Sequence, residues 1–373
     1  MDTEVIRIGT GVSASDAVSR AAEVLRRGGL VAFPTETVYG LGVRADDPQG
    51  VKRLRTVKSR ADGKAFTVHI GAPGDLAKFV PERSRLATRL VRKGWPGPMT
   101  LVFPVEEPKR APVLQGLNGR AEAAMYYDQT IGLRCPDDPF AGALLRSVEA
   151  PVIAASANAA GEAPALTAND VLDGLGGQFD LLVDGGRTRY TKPSTIVRLN
   201  GNGYSIEREG VYDAGIIERL SSLRLLFVCT GNTCRSPMAA GLVSKMIAEQ
   251  LGCTVDELPA RGVFVSSAGT GGGAGGASNA ATTVMARRGI VLSGHASRAL
   301  TRDMVEQADH IFVMTESHRS IAAGLAPSAS DRIELLVEGQ DVPDPVGGSE
   351  EEYEACVCIV EAGLKVRIRE ILA

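Results

Sequence analysis

The chain has 373 residues with 41 Lys and Arg against 44 Asp and Glu, a formal net charge of −3, and is 44% hydrophobic and 23% charged. This is the balance of folded globular protein, and the length predicts two domains, each long enough to bury its own core. No apolar run approaches the ~20 residues that a membrane helix needs. Residues 1–215 hold 27 Lys and Arg against 25 Asp and Glu, and residues 216–373 hold 14 against 19, so stable electrostatic binding to a nucleic acid is not expected of either half. The six cysteines show neither metal-ligand spacing nor a disulfide framework. With an opening Met-Asp-Thr-Glu-Val-Ile-Arg that lacks a basic-then-apolar secretion pattern, they predict a cytoplasmic protein.

In chain order, Ala21–Arg27 reads as helix, stopped by Gly28-Gly29, and Leu30-Val31-Ala32-Phe33 as strand. A loop from Pro34 to Gly42 follows. Lys58-Ser59-Arg60 reads as an extended basic segment that sets two cations on one side. Phe66–Ile70 is a strand, and Trp95-Pro96-Gly97-Pro98 is a rigid turn leading into a strand from Met99. Ile131–Pro136 and Val152–Asn158 are further strands with polar ends, and Arg134 can hold a carboxylate bidentately. Polar and basic residues placed after strands predict a cleft for an anionic small molecule. Asp213 caps a short helix, Ala214–Leu220, and the domain boundary falls near 212–222.

The second half opens on an apolar strand, Leu225–Val228, followed by Cys229-Thr230-Gly231-Asn232-Thr233-Cys234-Arg235. Ser236-Pro237 reads as an N-cap and first helical residue, with the helix from Met238 to Leu251. A loop between a strand and a helix N-terminus turns its N–H groups on an anion, and the helix dipole favours negative charge there. Arg235 can grip two phosphate oxygens. The same field favours a thiolate at Cys229, the attacking form of a cysteine nucleophile. Cys229 and Cys234 are spaced to form a reversible disulfide on oxidation. The run Gly271–Gly276 reads as a flexible loop, either a mobile rim of the site or an idle surface loop.

The second half resembles the low-molecular-weight protein-tyrosine phosphatase family over about residues 222–373. The resemblance implies Cys229 as nucleophile, Arg235 as phosphate clamp, Asn232 in a left-handed backbone and Ser236 supporting the thiolate. Thr230, Gly231, Thr233 and Cys234 complete the loop. It further implies His295 bracing the loop asparagine, and Asp344 of Val342-Pro343-Asp344-Pro345 protonating the leaving group, with no cofactor and no metal. Ser266-Ala268-Gly269 and His295-Ser297-Arg298 match further family segments. Threonine at position 233, and the segment Pro-Val-Gly-Gly-Ser after Asp344, resemble the bacterial protein-arginine phosphatase branch; protein-tyrosine phosphatase is the alternative. The arsenate-reductase branch lacks its mid-domain resolving cysteines here.

The first half resembles the YrdC-type threonylcarbamoyl-AMP synthase family over about residues 5–212. That family condenses L-threonine, bicarbonate and ATP with release of pyrophosphate, and its product feeds threonylcarbamoyladenosine in tRNA. The resemblance implies Thr35, His69, Arg134 and Ser194 on threonine, and Lys58, Arg60, Thr130, Ser156, Asn158 and Arg208 on ATP. Mg²⁺ arrives with the nucleotide, and partner proteins of tRNA modification follow. Ala61, Ala65, Asp138 and Ala160 depart from the family pattern. The expected architecture is thus an α/β domain with a twisted mixed sheet over residues 1–215, then a doubly wound parallel-sheet α/β domain over 222–373. A catalytically decayed, nucleotide- or RNA-binding first domain beside a live phosphatase is the alternative.

Overall fold

The structure is a computed structural model that describes residues 2–60, 64–117, 119–201, 203–272 and 274–372. The chain divides into two compact units, Met1–Leu220 and Ser221–Ala373.

The first unit holds strands β1 (Glu4–Arg7), β2 (Val31–Phe33), β3 (Gly40–Arg44), β4 (Thr67–His69), β5 (Met99–Pro104), β6 (Tyr126–Tyr127), β7 (Thr130–Arg134), β8 (Val152–Ser156), β9 (Leu181–Asp184), β10 (Thr195–Asn200) and β11 (Gly203–Arg208). They form one mixed sheet in the order β1-β9-β2-β3-β8-β4-β7-β5-β10-β11, with β6 paired to β7.

Register decides which side chains share a face. Leu133 pairs with Val68 and Leu101, while Arg134 pairs with His69 and Thr100. Successive side chains alternate across a sheet. Val68, Leu101, Phe103, Ile131, Leu133 and Ile153 therefore enter one core. Thr67, His69, Thr100, Thr130, Gly132 and Arg134 lie on the opposite face. Over β9, β2 and β8 that second face is covered by helices Ala14–Arg26 and Pro139–Ser147, packed through Ala17, Ala21, Leu25, Phe140 and Leu144. Thr67, Thr130 and Gly132 remain partly exposed, so the cover stops short of them.

The helix expected at Ala21–Arg27 starts earlier, at Ala14, because Ser13 caps it by accepting from Asp16 N at 3.1 Å. The helix expected at 214–220 is present over Ala214–Ser221, with Ile216 N donating to Asp213 Oδ1 at 2.8 Å. Lys58-Ser59-Arg60 is not extended. Helix Pro48–Val57 ends at Lys58, Ser59 turns left-handed at φ 45°, and Ser59 N and Arg60 N donate back to Thr56 O and Arg55 O. This is the double closure of a helix C-terminus, usually made with glycine.

In the second unit β12 (Leu223–Cys229), β13 (Val263–Gly269), β14 (His310–Val313) and β15 (Ile333–Leu335) form a wholly parallel sheet in the order β13-β12-β14-β15. Leu225 and Phe227 pack with helices Arg235–Leu251, Asn279–Ala286 and Glu350–Leu372. The intervening Leu226 and Val228 pack on the other side with helices Arg302–Gln307 and Glu316–Leu325. Alternation thus gives both faces a helical layer, the expected doubly wound arrangement. Strand order reverses at β12, so the loop after Cys229 opens at the switch point, where such sheets bind ligands. Among the described residues no helix is long and apolar enough to cross a membrane.

Candidate functional sites

In the first unit the buried Arg134 is the hub. Its Nη2 donates to Thr37 Oγ1 at 2.6 Å and to Thr35 Oγ1 at 3.3 Å, and lies 3.1 Å from Glu36 Oε1. The Thr35 hydroxyl donates to Val38 O at 2.7 Å and accepts from Val38 N, a local turn that fixes the loop. His69 pairs across the strand with Arg134, and burial first, then Arg134, pushes its pKa down to about 3. Ser194 lies 3.0 Å from Thr100 and takes Arg208 on its carbonyl at 2.7 Å. Burial, then Arg134, lowers the Arg208 pKa, so two guanidinium groups share this region.

Lys58 Nζ donates to Ser156 O at 2.8 Å and to Asn158 O. Arg60 lies over the Phe66 ring at 4.8 Å and reaches Ala65 O. Burial lowers the pKa of both cations, most simply because each is withdrawn from water beside another positive group. Ser59, Arg60, Arg55, Lys52 and Arg120 line a cavity of about 650 Å³. Thr130 donates to Tyr127 O at 2.8 Å, at the far end of β7 from Arg134. Lys58, Ser156 and Asn158 thus form one cluster, and Thr35, Arg134, Ser194 and Arg208 another, with His69 beside Arg134. No direct bond joins the two clusters among the described residues.

Of the departures, Asp138 caps helix Pro139–Ser147, accepting from Ala141 N at 2.8 Å, and Ala65 offers its carbonyl to Arg60. Ala160 is exposed. Ala61 lies outside the described residues. Thr37, Glu36 and Thr100 escaped the sequence reading. The Thr35-Glu36-Thr37 alternation around a fixed turn was the available signal for the first two.

In the second unit the loop is built around two residues. Cys229 is 2% exposed, and its Sγ lies 3.0 Å from Ser236 Oγ and accepts from Asn232 N at 3.3 Å. Ser236 Oγ accepts from Asn232 Nδ2 at 2.9 Å, which leaves its own proton for the sulfur. Asn232 has φ 55°, the left-handed backbone expected of it, and every polar group it carries is used. Nδ2 also donates to Ser267 Oγ at 2.9 Å, Oδ1 accepts from Arg298 N at 3.0 Å, and its carbonyl takes Ser297 at 2.8 Å and His295 Nε2 at 2.7 Å.

The helix begins at Arg235 with Cys234 as cap, three residues before the expected Met238. Ser236 does not cap; its hydroxyl serves Cys229 and Asn232. Pro237 costs nothing at the third helical position, where N–H groups have no partner within the helix. Arg235 is 5% exposed in its side chain and pairs with Asp344 Oδ2, while Nη1 donates to Val342 O at 3.1 Å. Thr230 Oγ1 accepts from Arg235 Nη2 at 3.3 Å and meets His318 Nε2 at 2.9 Å. His318, lowered in pKa by burial and then by Arg235, was not foreseen. Thr233 is partly exposed, with Oγ1 3.5 Å from Cys234 Sγ, and Gly231 is partly exposed beside it. Cys234 Sγ also meets Tyr353 Oη at 3.2 Å, and all six cysteines are free thiols. The glycine run is anchored at two points, Gly271 N to Thr230 O and Gly275 O from Ser297 N, so its described residues rim the loop; Gly273 lies outside them. Among the described residues no group of three His, Cys, Asp or Glu side chains is placed to hold a metal.

The folds and sites define a two-domain α/β protein: a polar, cation-lined sheet face in one unit, and a cysteine-based anion loop at a parallel-sheet switch point in the other. The Sua5/yciO/yrdC family model, described as telomere recombination, matches residues 23–210, and the low molecular weight phosphotyrosine protein phosphatase model matches residues 224–371. The chain belongs to the Sua5/yciO/yrdC family, and its second unit is similar to the low molecular weight phosphatase family over the residues that model matches. It is 36% identical over 182 residues to a threonylcarbamoyl-AMP synthase of Pyrococcus abyssi, a match covering 48% of this chain and 49% of the relative. The chain spans about half the length of that relative and of its Bacillus subtilis counterpart. The structure of P. abyssi Sua5 complexed with L-threonine is similar in fold, with TM-score 0.51, 21% identity, and coverage of 97% of this chain and 98% of the other. The YwlE arginine phosphatase is 35% identical, covering 40% of this chain and 95% of its own, with TM-score 0.35.

Proposed function

We propose that residues 1–215 make threonylcarbamoyl-AMP from L-threonine, bicarbonate and ATP, and that residues 222–373 hydrolyse a phosphorylated protein residue. For the first activity the carrying observation is register: Thr67, His69, Thr100, Thr130, Gly132 and Arg134 share one partly open sheet face. Thr35, His69, Arg134 and Ser194 then take threonine, the guanidinium holding its carboxylate. Lys58, Arg60, Thr130, Ser156, Asn158 and Arg208 take ATP, supplied as its magnesium salt. Positioning and charge neutralisation supply the catalysis, which needs no protein nucleophile. Pyrophosphate leaves, and the product suits transfer to tRNA by partner proteins.

For the second activity the carrying observation is the sulfur of Cys229, directed by Ser236 and Asn232 and set beside Arg235. The thiolate attacks phosphorus while loop N–H groups and Arg235 hold the phosphoryl oxygens. Asp344, freed from Arg235 as phosphate takes its place, protonates the departing atom, and water then hydrolyses the cysteinyl phosphate. Phosphoarginine is the preferred substrate, because the Thr233 hydroxyl can meet a guanidinium where a branched aliphatic would leave N–H groups unpaired.

The test is mass-spectrometric identification of threonylcarbamoyl-AMP from the full chain, with Lys58→Ala and Arg60→Ala variants. Loss of one phosphate contact in a desolvated site costs about 2–5 kcal/mol, so both variants should lose nearly all product. Wild-type protein that hydrolyses ATP without forming the product would overturn the synthase reading.

A further inference from the structure

Arg134 and Glu36 are both buried, with side chains 6% and 0% exposed. Among the described residues neither Glu36 oxygen has a hydrogen-bond partner, and neither does Arg134 Nε. The 3.1 Å ion pair therefore leaves hydrogen-bonding capacity unused on both signs of charge. A buried carboxylate normally fills its acceptor sites, because an unfilled one in a low-dielectric interior is unfavourable.

The loop cannot relieve this by swinging away. Tyr190 N donates to Glu36 O at 2.8 Å, and Thr35 and Thr37 on either side both bond Arg134 Nη2. Glu36 faces Arg134 in a region that also holds Arg208 and the neutral His69, with Asp138 near enough that burial, and then Glu36, raise the Asp138 pKa.

We propose that Glu36 is the specificity-determining residue for the α-ammonium group of the amino-acid substrate. The inference rests on the reading that this pocket takes threonine. An α-amino acid carries its two opposite charges two bonds apart, so a zwitterion laid against the pair with its polarity reversed meets both. Its carboxylate takes the open Arg134 Nε, and its ammonium takes the open Glu36 oxygens. A hydroxy acid that keeps the carboxylate but lacks the amine satisfies Arg134 and leaves the Glu36 carboxylate buried without a counter-charge, and is rejected by that cost. On loading, only the side-chain contact between Arg134 Nη2 and Glu36 Oε1 gives way to the two ligand contacts, and the loop backbone stays in place.

The experiment is calorimetric titration of the full chain with L-threonine and with 3-hydroxybutanoate, which keeps the carboxylate and hydroxyl but lacks the amine. Wild type should prefer threonine by about a hundredfold or more, the discrimination expected when a site's buried polar group is left unpaired. Glu36→Gln, equal in shape but uncharged, should bring the ratio below about tenfold by weakening threonine while 3-hydroxybutanoate binds as well or better. A wild-type ratio kept in Glu36→Gln, or equal weakening of both ligands, overturns the proposal and leaves the threonine pocket standing. Should Glu36→Gln fail to fold, the wild-type ratio decides alone, and near-equal affinities overturn the proposal. Wild-type protein that binds no threonine overturns the pocket reading and the proposal together.

Discussion

Gly132→Val separates the use of the polar sheet face from its stability. Gly132 sits in β7 between Thr130 and Arg134, with no left-handed φ to protect it. A Cβ there meets only Thr67, at 3.6 Å from Oγ1 and 4.0 Å from Cα, which is ordinary contact. Valine suits a strand better than glycine, so the folded unit should gain about 0.5–1 kcal/mol. Its methyls nonetheless rise about 2.5 Å above the strand, on the face proposed to hold the ligand between ends of β7 that are ~13 Å apart. Displacing a reactant by about 1 Å costs on the order of a hundredfold in rate, or about 2.7 kcal/mol. Threonine- and ATP-dependent pyrophosphate release should fall at least that far, with Gly132→Ala in between. Stability is read from Trp95, the chain's single tryptophan, which is buried in the first unit with Nε1 donating to Met99 O at 2.7 Å. A stable variant that keeps activity within about threefold would remove this face as the cleft floor.

Cys229→Ser should abolish phosphatase activity and leave pyrophosphate release intact; residual phosphatase within about tenfold of wild type would exclude Cys229 as nucleophile. Asp344→Asn should slow hydrolysis of a phosphoramidate or alkyl phosphate by roughly 10²–10⁴ but an activated aryl phosphate far less, whereas equal slowing would leave Asp344 as the Arg235 partner only. Thr233→Ile should move the kcat/KM ratio from phosphoarginine toward phosphotyrosine peptides by roughly ten- to a hundredfold, and an unmoved ratio would favour the tyrosine-phosphatase alternative. His69 is held neutral by burial, with its pKa lowered from 6.5 to about 3, so the unfolded chain binds a proton in that window that the folded unit refuses. Its stabilising contribution is complete above pH 6.5 and is lost as pH falls toward 3. His69→Asn should therefore flatten the acid-side fall in the Trp95 unfolding midpoint, and identical slopes would contradict the buried neutral state.

The phosphate loop could be read from the sequence because its working groups are contiguous: Cys229, Asn232, Arg235 and Ser236 need one strand and one helix start to meet. The helix start itself was misplaced, since Ser-Pro is a capping signal only when the hydroxyl is free, and here it serves the sulfur. His318 was missed because a lone histidine 88 residues from Thr230 carries no spacing signal. In the first unit Thr35, His69, Arg134 and Ser194 follow from the family resemblance, whereas the placement of His69 beside Arg134 is a matter of strand register, which sequence does not display. Thr100 belongs with them only because β5 pairs with β7. The Lys58–Arg60 geometry was misread for a local reason: Ser59 takes the left-handed position that a glycine would have announced.

The most direct test of the account is pyrophosphate release by the full-length wild-type chain, measured with ATP alone and then with threonine and bicarbonate added together and singly. Release that requires both additions and persists in Cys229→Ser is the predicted result. Release indifferent to threonine, or none under conditions where a known synthase works, would contradict it and leave a phosphatase joined to a catalytically decayed domain.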